Sequence, residues 1–211
     1  MTLFIHVRRA LTGAALAVPL LLAGCASTPT DQFYTLSGGA ATVVPPAAAS
    51  APLFFEMRPV TIPASVRRPQ LMVAGEAGTI EMREHHRWAG PLADEITTGL
   101  SLGIAADLGG VDVYRNPAPA GSALYRIGAN IQRFESKEGD YALIDAVWNV
   151  RKVDGGSVQT CRSVFQEKVG PGYEALVAGH RAALAKLATA IAAGVRSQVA
   201  GGAPACAAGA R

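Results

Sequence analysis

The chain has 211 residues, with 19 basic and 16 acidic side chains for a formal net charge of +3; 50% of its residues are hydrophobic and 17% are charged. That is the size and balance of one ordinary folded domain, or of a small domain with appendages, and not of a chain disordered throughout. So small a positive excess releases few counterions from a polyanion, and 6% aromatic residues leave few stacking platforms, so the composition argues against nucleic acid as a partner.

The first segment reads as an address. Arg8-Arg9 precede an uncharged run from Ala10 to Ala23 that is rich in Leu, Ala and Val. A basic pair before an apolar stretch of about 14 residues is the pattern of a secretory signal, and it is shorter than the roughly 20 residues a spanning helix needs. The run ends in Leu22-Ala23-Gly24-Cys25, which resembles the lipobox of bacterial lipoproteins, whose cysteine becomes the lipidated N-terminus. The plainer alternative is an ordinary signal cleaved near Ala26. Buried acyl chains such as palmitate contribute about 0.8 kcal/mol per methylene, so several of them on Cys25 anchor a protein without a spanning helix. The lipobox resemblance implies that residues 1–24 are removed and that residues 25–31 are a lipidated tether. It also implies sorting to the periplasmic face of the outer membrane, because Ala26-Ser27 lack the aspartate that retains lipoproteins at the inner membrane. Since residues 1–24 carry two arginines and no acid, their loss leaves 17 basic and 16 acidic side chains, a net of +1. Of the three cysteines, Cys161 and Cys206 then stand in an oxidising compartment, either as a disulfide or as two unpaired thiols.

Gln32 to Leu36 is a first strand, followed by a loop over residues 37–52 composed almost wholly of Gly, Ala, Val, Pro and Ser, which cannot bury enough side chain to order itself. Leu53 to Ile62 is a strand closed by Pro63. Gln70 to Ala74 and Thr79 to Glu84 flank Gly75-Glu76-Ala77-Gly78 as a hairpin. Gly90-Pro91 opens a helix with Asp94 and Glu95 in its first turn, where the dipole favours acids; Leu92, Ile96, Leu100, Ile104 and Leu108 form its apolar stripe and Gly109-Gly110 end it. Val111 to Arg115 is a short strand. Tyr125 to Ile131 alternates apolar with polar residues, and Tyr141 to Arg151 and Val158 to Val169 follow after turn sequences, which makes an antiparallel meander. Tyr173, Leu176, Val177, His180, Leu184, Leu187, Ala188, Ile191 and Val195 recur at helical spacing up to Gly201-Gly202. These elements predict a single α+β domain over residues 32–200, an antiparallel or mixed sheet with two main helices on one face, and a Gly/Ala tail over 201–211.

The common signatures of nucleotide binding, serine hydrolases and zinc proteases do not occur in the chain. His180 falls on an apolar helix face, where a hydrogen-bonded core histidine is a simpler reading than a ligand. The consecutive His85-His86 would point to opposite sides of an extended segment, so metal and cofactor are expected to be absent. The carboxylates are explained by helix ends and turns, and no catalytic residue is assigned. Three features remain. Arg67 and Arg68 lie between prolines in Ser65-Val66-Arg67-Arg68-Pro69-Gln70-Leu71, on a loop that presents their guanidiniums outward, either to grip carboxylates or phosphates or merely to be solvated. Trp88, just before the helix, is either a staple onto its first turn or an interface anchor. The tether from Ala26 to Asp31 reaches at most roughly 20 Å, which keeps the domain near its membrane.

In order along the chain, the lipobox, Phe33-Tyr34-Thr35-Leu36, Ile62-Pro63, Arg68-Pro69-Gln70-Leu71 and Arg87-Trp88-Ala89-Gly90-Pro91-Leu92 are similar to the ABC-type transport auxiliary lipoprotein family. The resemblance implies an outer-membrane lipoprotein that supports membrane integrity by working with a periplasmic MCE (mammalian cell entry) protein and its inner-membrane permease and ATPase, and it implies a homo-oligomeric ring. Arg67, Arg68, Pro69 and Trp88 are then the candidate partner-binding residues. A lipid-binding carrier, with an acyl chain between helix and sheet, and an assembly chaperone for an outer-membrane complex are the alternatives.

Overall fold

A computed structural model describes residues 30–38, 52–201 and 206. The signal segment, Cys25, the tether up to Pro29 and most of the loop over 37–52 lie outside the described residues. Eight strands and two α-helices follow in the order β1 (Gln32–Tyr34), β2 (Phe54–Met57), β3 (Gln70–Ala74), β4 (Ile80–Trp88), α1 (Leu92–Leu108), β5 (Val111–Asp112), β6 (Leu124–Lys137), β7 (Tyr141–Lys152), β8 (Gln159–Lys168) and α2 (Tyr173–Val199).

The strands form two sheets where the sequence pattern suggested one, with orders β1-β4-β3 and β5-β2-β6-β7-β8. Orientation is mixed in both. β1 runs parallel to β4, β2 runs parallel to β5 and β6, and β3–β4 and β6–β7–β8 are antiparallel. β2 ends earlier than its apolar run because Pro59 has no N–H to donate to the ladder. The chain nevertheless continues along β6, with Arg58 N–H donating to the Ile127 carbonyl (3.0 Å) and Ile131 N–H to the Thr61 carbonyl (2.9 Å). β6 runs six residues beyond Ile131. A register shift between Ile131 and Arg133 reverses its alternation, so that Phe134 and Ser136 face inward where Ile127, Ala129 and Ile131 did before.

α1 buries Leu92, Ile96, Leu100 and Ile104, and Gly109 ends it in the left-handed region (φ 60°), its N–H returning to the Ala105 carbonyl. The small residues on α1 face α2 and not the sheet: a Cβ on Gly103 would lie 2.7 Å from Ala188 Cβ, so the two helices meet where neither carries bulk. α2 lies over β7 and β8. Trp148 fills the space beneath it, and a Cβ on Gly194 would lie 2.8 Å from that ring. α2 is long and apolar enough to cross a membrane, but 61% of its apolar window is buried within the fold, which marks it as the core helix. Cys161 on β8 and Cys206 are joined as a disulfide with a Cα–Cα separation of 5.5 Å.

Candidate functional site

Arg67, Arg68, Pro69 and Trp88 line one open groove of about 380 Å³. A short 3-10 turn, Ala64–Val66, sets it up: Val66 N–H donates to the Pro63 carbonyl and Arg67 N–H to the Ala64 carbonyl, both at 3.2 Å. The turn drives Val66 into the core and leaves Arg67, Arg68 and Pro69 exposed. Arg67 Nη2 donates to the Ile62 carbonyl at 3.2 Å, which holds the guanidinium against the groove. Arg68 has no side-chain hydrogen bond or ion pair among the described residues. Trp88 N–H donates to the Pro69 carbonyl at 2.7 Å and so joins the arginine loop to the end of β4.

Trp88 itself is only 4% exposed. Its ring packs edge-on to Phe134, centroids 6.0 Å apart, so it contributes to the groove as a buried wall and does not project as an anchor. Ile62, Pro91 and Leu92 complete the apolar lining. Such a groove accepts an aliphatic or aromatic group while the two guanidiniums meet a carboxylate or phosphate, the oxyanions that their planar forks match.

The N-terminal strand is fastened beside this groove. Ala89 N–H donates to the Tyr34 carbonyl at 2.7 Å. Glu95 Oε2 accepts from Thr35 Oγ1 (2.6 Å) and from Leu36 N–H (2.8 Å), and Arg181 donates through Nε (2.9 Å) and Nη2 (2.7 Å) to the Thr35 carbonyl. Sequence reasoning explained Glu95 by the helix dipole alone and did not single out Arg181, because their partner lies in another element. Immediately before β1, Asp31 accepts from His85 Nδ1 at 2.9 Å; this bond, aided by Arg87, holds the Asp31 carboxyl below its ordinary value. The end of the chain nearest Cys25 is therefore bound to β4.

The clusters that most resemble catalytic machinery serve packing. His85 turns to Asp31, whereas His86 turns to Tyr34, whose hydroxyl lies 2.9 Å from His86 Nδ1 and 3.4 Å from Glu174 Oε1. Burial, reinforced by Glu174, pushes the Tyr34 hydroxyl up to about 12, away from an activated nucleophile. A polar hollow of about 390 Å³ contains Asp94, Asp112 and Ser101. Asp112 there already accepts from Ser101 Oγ (2.6 Å) and from Tyr114 N–H (2.9 Å). Among the described residues no three His, Cys, Asp or Glu side chains come together as a ligand set. His180 is fully buried: its Nε2 shares a hydrogen bond with Ser136 Oγ at 2.8 Å, its ring stacks on Phe134 at 4.0 Å, and Nδ1 has no partner among the described residues.

A small α+β domain with its N-terminal strand fastened down is a fold shared with other solved proteins. It is similar to the crystal structure of an uncharacterised protein, with a TM-score of 0.61 at 15% identity over 79% of this chain and 99% of that one. It is also similar to a protein of Xanthomonas campestris assigned to the DUF330 family, with a TM-score of 0.50 at 16% identity over 70% of this chain and 88% of that one. No curated protein matches the chain by sequence. The family model for the ABC-type transport auxiliary lipoprotein component matches residues 34–192, and the chain belongs to that family.

Proposed function

We propose that this protein is the non-catalytic, lipid-anchored periplasmic subunit of an ABC/MCE-type envelope lipid transport system, docking the MCE component at the outer membrane and thereby supporting membrane integrity. Residues 1–24 are the removed signal, Cys25 carries the lipid, and residues 25–31 tether the domain to the periplasmic face of the outer membrane. The permease and ATPase of the inner membrane supply the energy coupling, and copies of the chain assemble into a ring around the end of the MCE component.

The observation that carries this reading is the groove at Arg67, Arg68, Pro69 and Trp88. Two adjacent guanidiniums, Arg67 pinned to the Ile62 carbonyl and Arg68 without a partner among the described residues, border an apolar slot next to the strand that leads to the anchor. This surface suits a partner segment that carries an acidic residue beside an apolar one. The filled interior argues against the carrier alternative, since Trp148, Ile144, Ile96 and Leu187 are fully buried between helices and sheet.

The test is affinity capture of the full-length, tagged lipoprotein from its own membranes in mild detergent, followed by mass spectrometry. An MCE protein with its permease is expected from the wild type. With Arg68→Glu the yield should fall at least tenfold at an unchanged melting temperature, because that side chain is exposed and unpaired. Capture of an unrelated outer-membrane complex in place of transporter components would refute the docking role.

A further inference from the structure

The five-stranded sheet covers its inner face with the helices and leaves its outer face open. On that face the arginines of the described residues mostly have acids of their own: Arg133 forks onto Glu135 (2.7 and 2.9 Å), Arg162 forks onto Asp145 (2.9 and 2.7 Å), and Arg126 Nε donates to Glu56. One place breaks this rule. A hollow of about 470 Å³ is bordered by Arg58, Arg126 and Arg151 together with Asn130 and Asn149. Neither Arg58 nor Arg151 has a side-chain hydrogen bond or ion pair among the described residues.

The register explains how the hollow is built. Arg126 on β6 stands directly opposite Arg151 on β7, and the next pair on the same face, two positions along, is Gly128 and Asn149. Arg58 joins the same rung, since its N–H donates to the carbonyl of Ile127, next to Gly128. Gly128 leaves the centre without a side chain, and the Asn149 amide occupies that space: a Cβ on Gly128 would lie 3.2 Å from Nδ2 and 3.3 Å from Oδ1. Like charges directly opposite on neighbouring strands destabilise a sheet. Three guanidiniums and two amides thus surround a depression whose lining holds no carboxylate, and the nearby Glu56 carboxylate is already committed to Arg126. A carboxylate presents two oxygens in one plane, whereas a tetrahedral oxyanion presents three or four oxygens that receive donors from several sides.

We propose that this hollow is a binding site for a phosphate group, held by Arg58 and Arg151 with Arg126 and Asn149 completing the donor set. A membrane lipid headgroup and a soluble phosphate share this chemistry. The site lies on a different face from the Arg68 groove and does not depend on the docking role.

The test uses the full-length lipoprotein in nonionic detergent at low ionic strength, titrated in parallel with inorganic phosphate and with dihexanoylphosphatidylglycerol and followed by calorimetry and thermal unfolding. Saturable binding of at least one probe is expected, with at least a tenfold loss of affinity in the Arg58→Gln, Arg151→Gln double variant. Saturation by the phospholipid at concentrations where inorganic phosphate is inert assigns a lipid headgroup, and saturation by both over the same range assigns a free phosphate. A second variant, Asn149→Asp, supplies the missing carboxylate within the hollow. It should abolish binding and raise the melting temperature in phosphate-free buffer. The absence of saturable binding of either probe would overturn the proposal, as would wild-type affinity in the double variant.

Discussion

Acidification from pH 7 to pH 5 should lower the stability of the folded domain by about 2 kcal/mol through His180 alone. The ring is fully buried between α2 and β6, with Ser136 on Nε2 and no partner for Nδ1 among the described residues, and burial takes its pKa down to about 3. In the unfolded chain the same imidazole titrates near 6.5. Between these two values the unfolded state binds the proton and the folded state does not, so stability rises with pH in that window. The contribution is fully present above about pH 6.5 and declines as pH falls, reaching about 5 kcal/mol of loss below pH 3 at 1.36 kcal/mol per unit. The carboxyls held below their ordinary values by hydrogen-bonded arginines, Glu135 by Arg133 and Asp145 by Arg162, respond only in more acid solution, and comparison with a variant lacking the buried ring separates His180 from His85 and His86. The assay is urea unfolding followed by tryptophan fluorescence at pH 7, 6 and 5, on the wild type and on the His180→Phe, Ser136→Ala double variant. Replacing both partners avoids leaving the buried Ser136 hydroxyl unpaired, and phenylalanine keeps the stack on Phe134. The variant should lose about 2 kcal/mol less than the wild type over that range. Equal losses in the two proteins would refute the argument.

Gly103→Leu should cost about 3 kcal/mol in urea unfolding, because its side chain must enter the space already held by Ala188 and force the two helices apart; an unchanged midpoint would mean that the helices can separate freely. Cys206→Ser opens a loop that spans 45 residues in sequence and should destabilise by about 4 kcal/mol on the chain-entropy model, in a form that reducing agent does not shift further. Glu95→Gln weakens the bonds to Thr35 Oγ1 and Leu36 N–H. Hydrogen exchange in residues 34–36 should accelerate about tenfold while the β6–β7 amides keep wild-type protection.

Several elements were legible in the sequence because their determinants are local. Pro91 and Gly109 bound α1 at Leu92 and Leu108, β3 runs over Gln70–Ala74 as its alternation indicates, and the loop between Pro63 and Pro69 puts Arg67 and Arg68 on the surface. The groove was legible only in its parts. Arg67, Arg68 and Trp88 stand out as residue types, yet the Trp88–Pro69 backbone bond that unites them depends on a turn and a strand meeting in space. The small residues of α1 allow a close neighbour, but that the neighbour is α2 is decided by the assembled fold, since composition tells how near a neighbour can come and not which neighbour it is.

By itself the sequence determined the grammar of the folded domain: the helix boundaries, the turns and the strand periodicities, each set by residues within a turn or two of one another. Only the tertiary structure decided the division into two sheets, the parallel pairing of β1 with β4, the reversal of β6 at Ile131 and Arg133, and the meeting of Arg58, Arg126 and Arg151 around Gly128. Strand partners and register are selected by burial summed over the whole core, and a pattern of period two fits several partners equally well until that core is assembled.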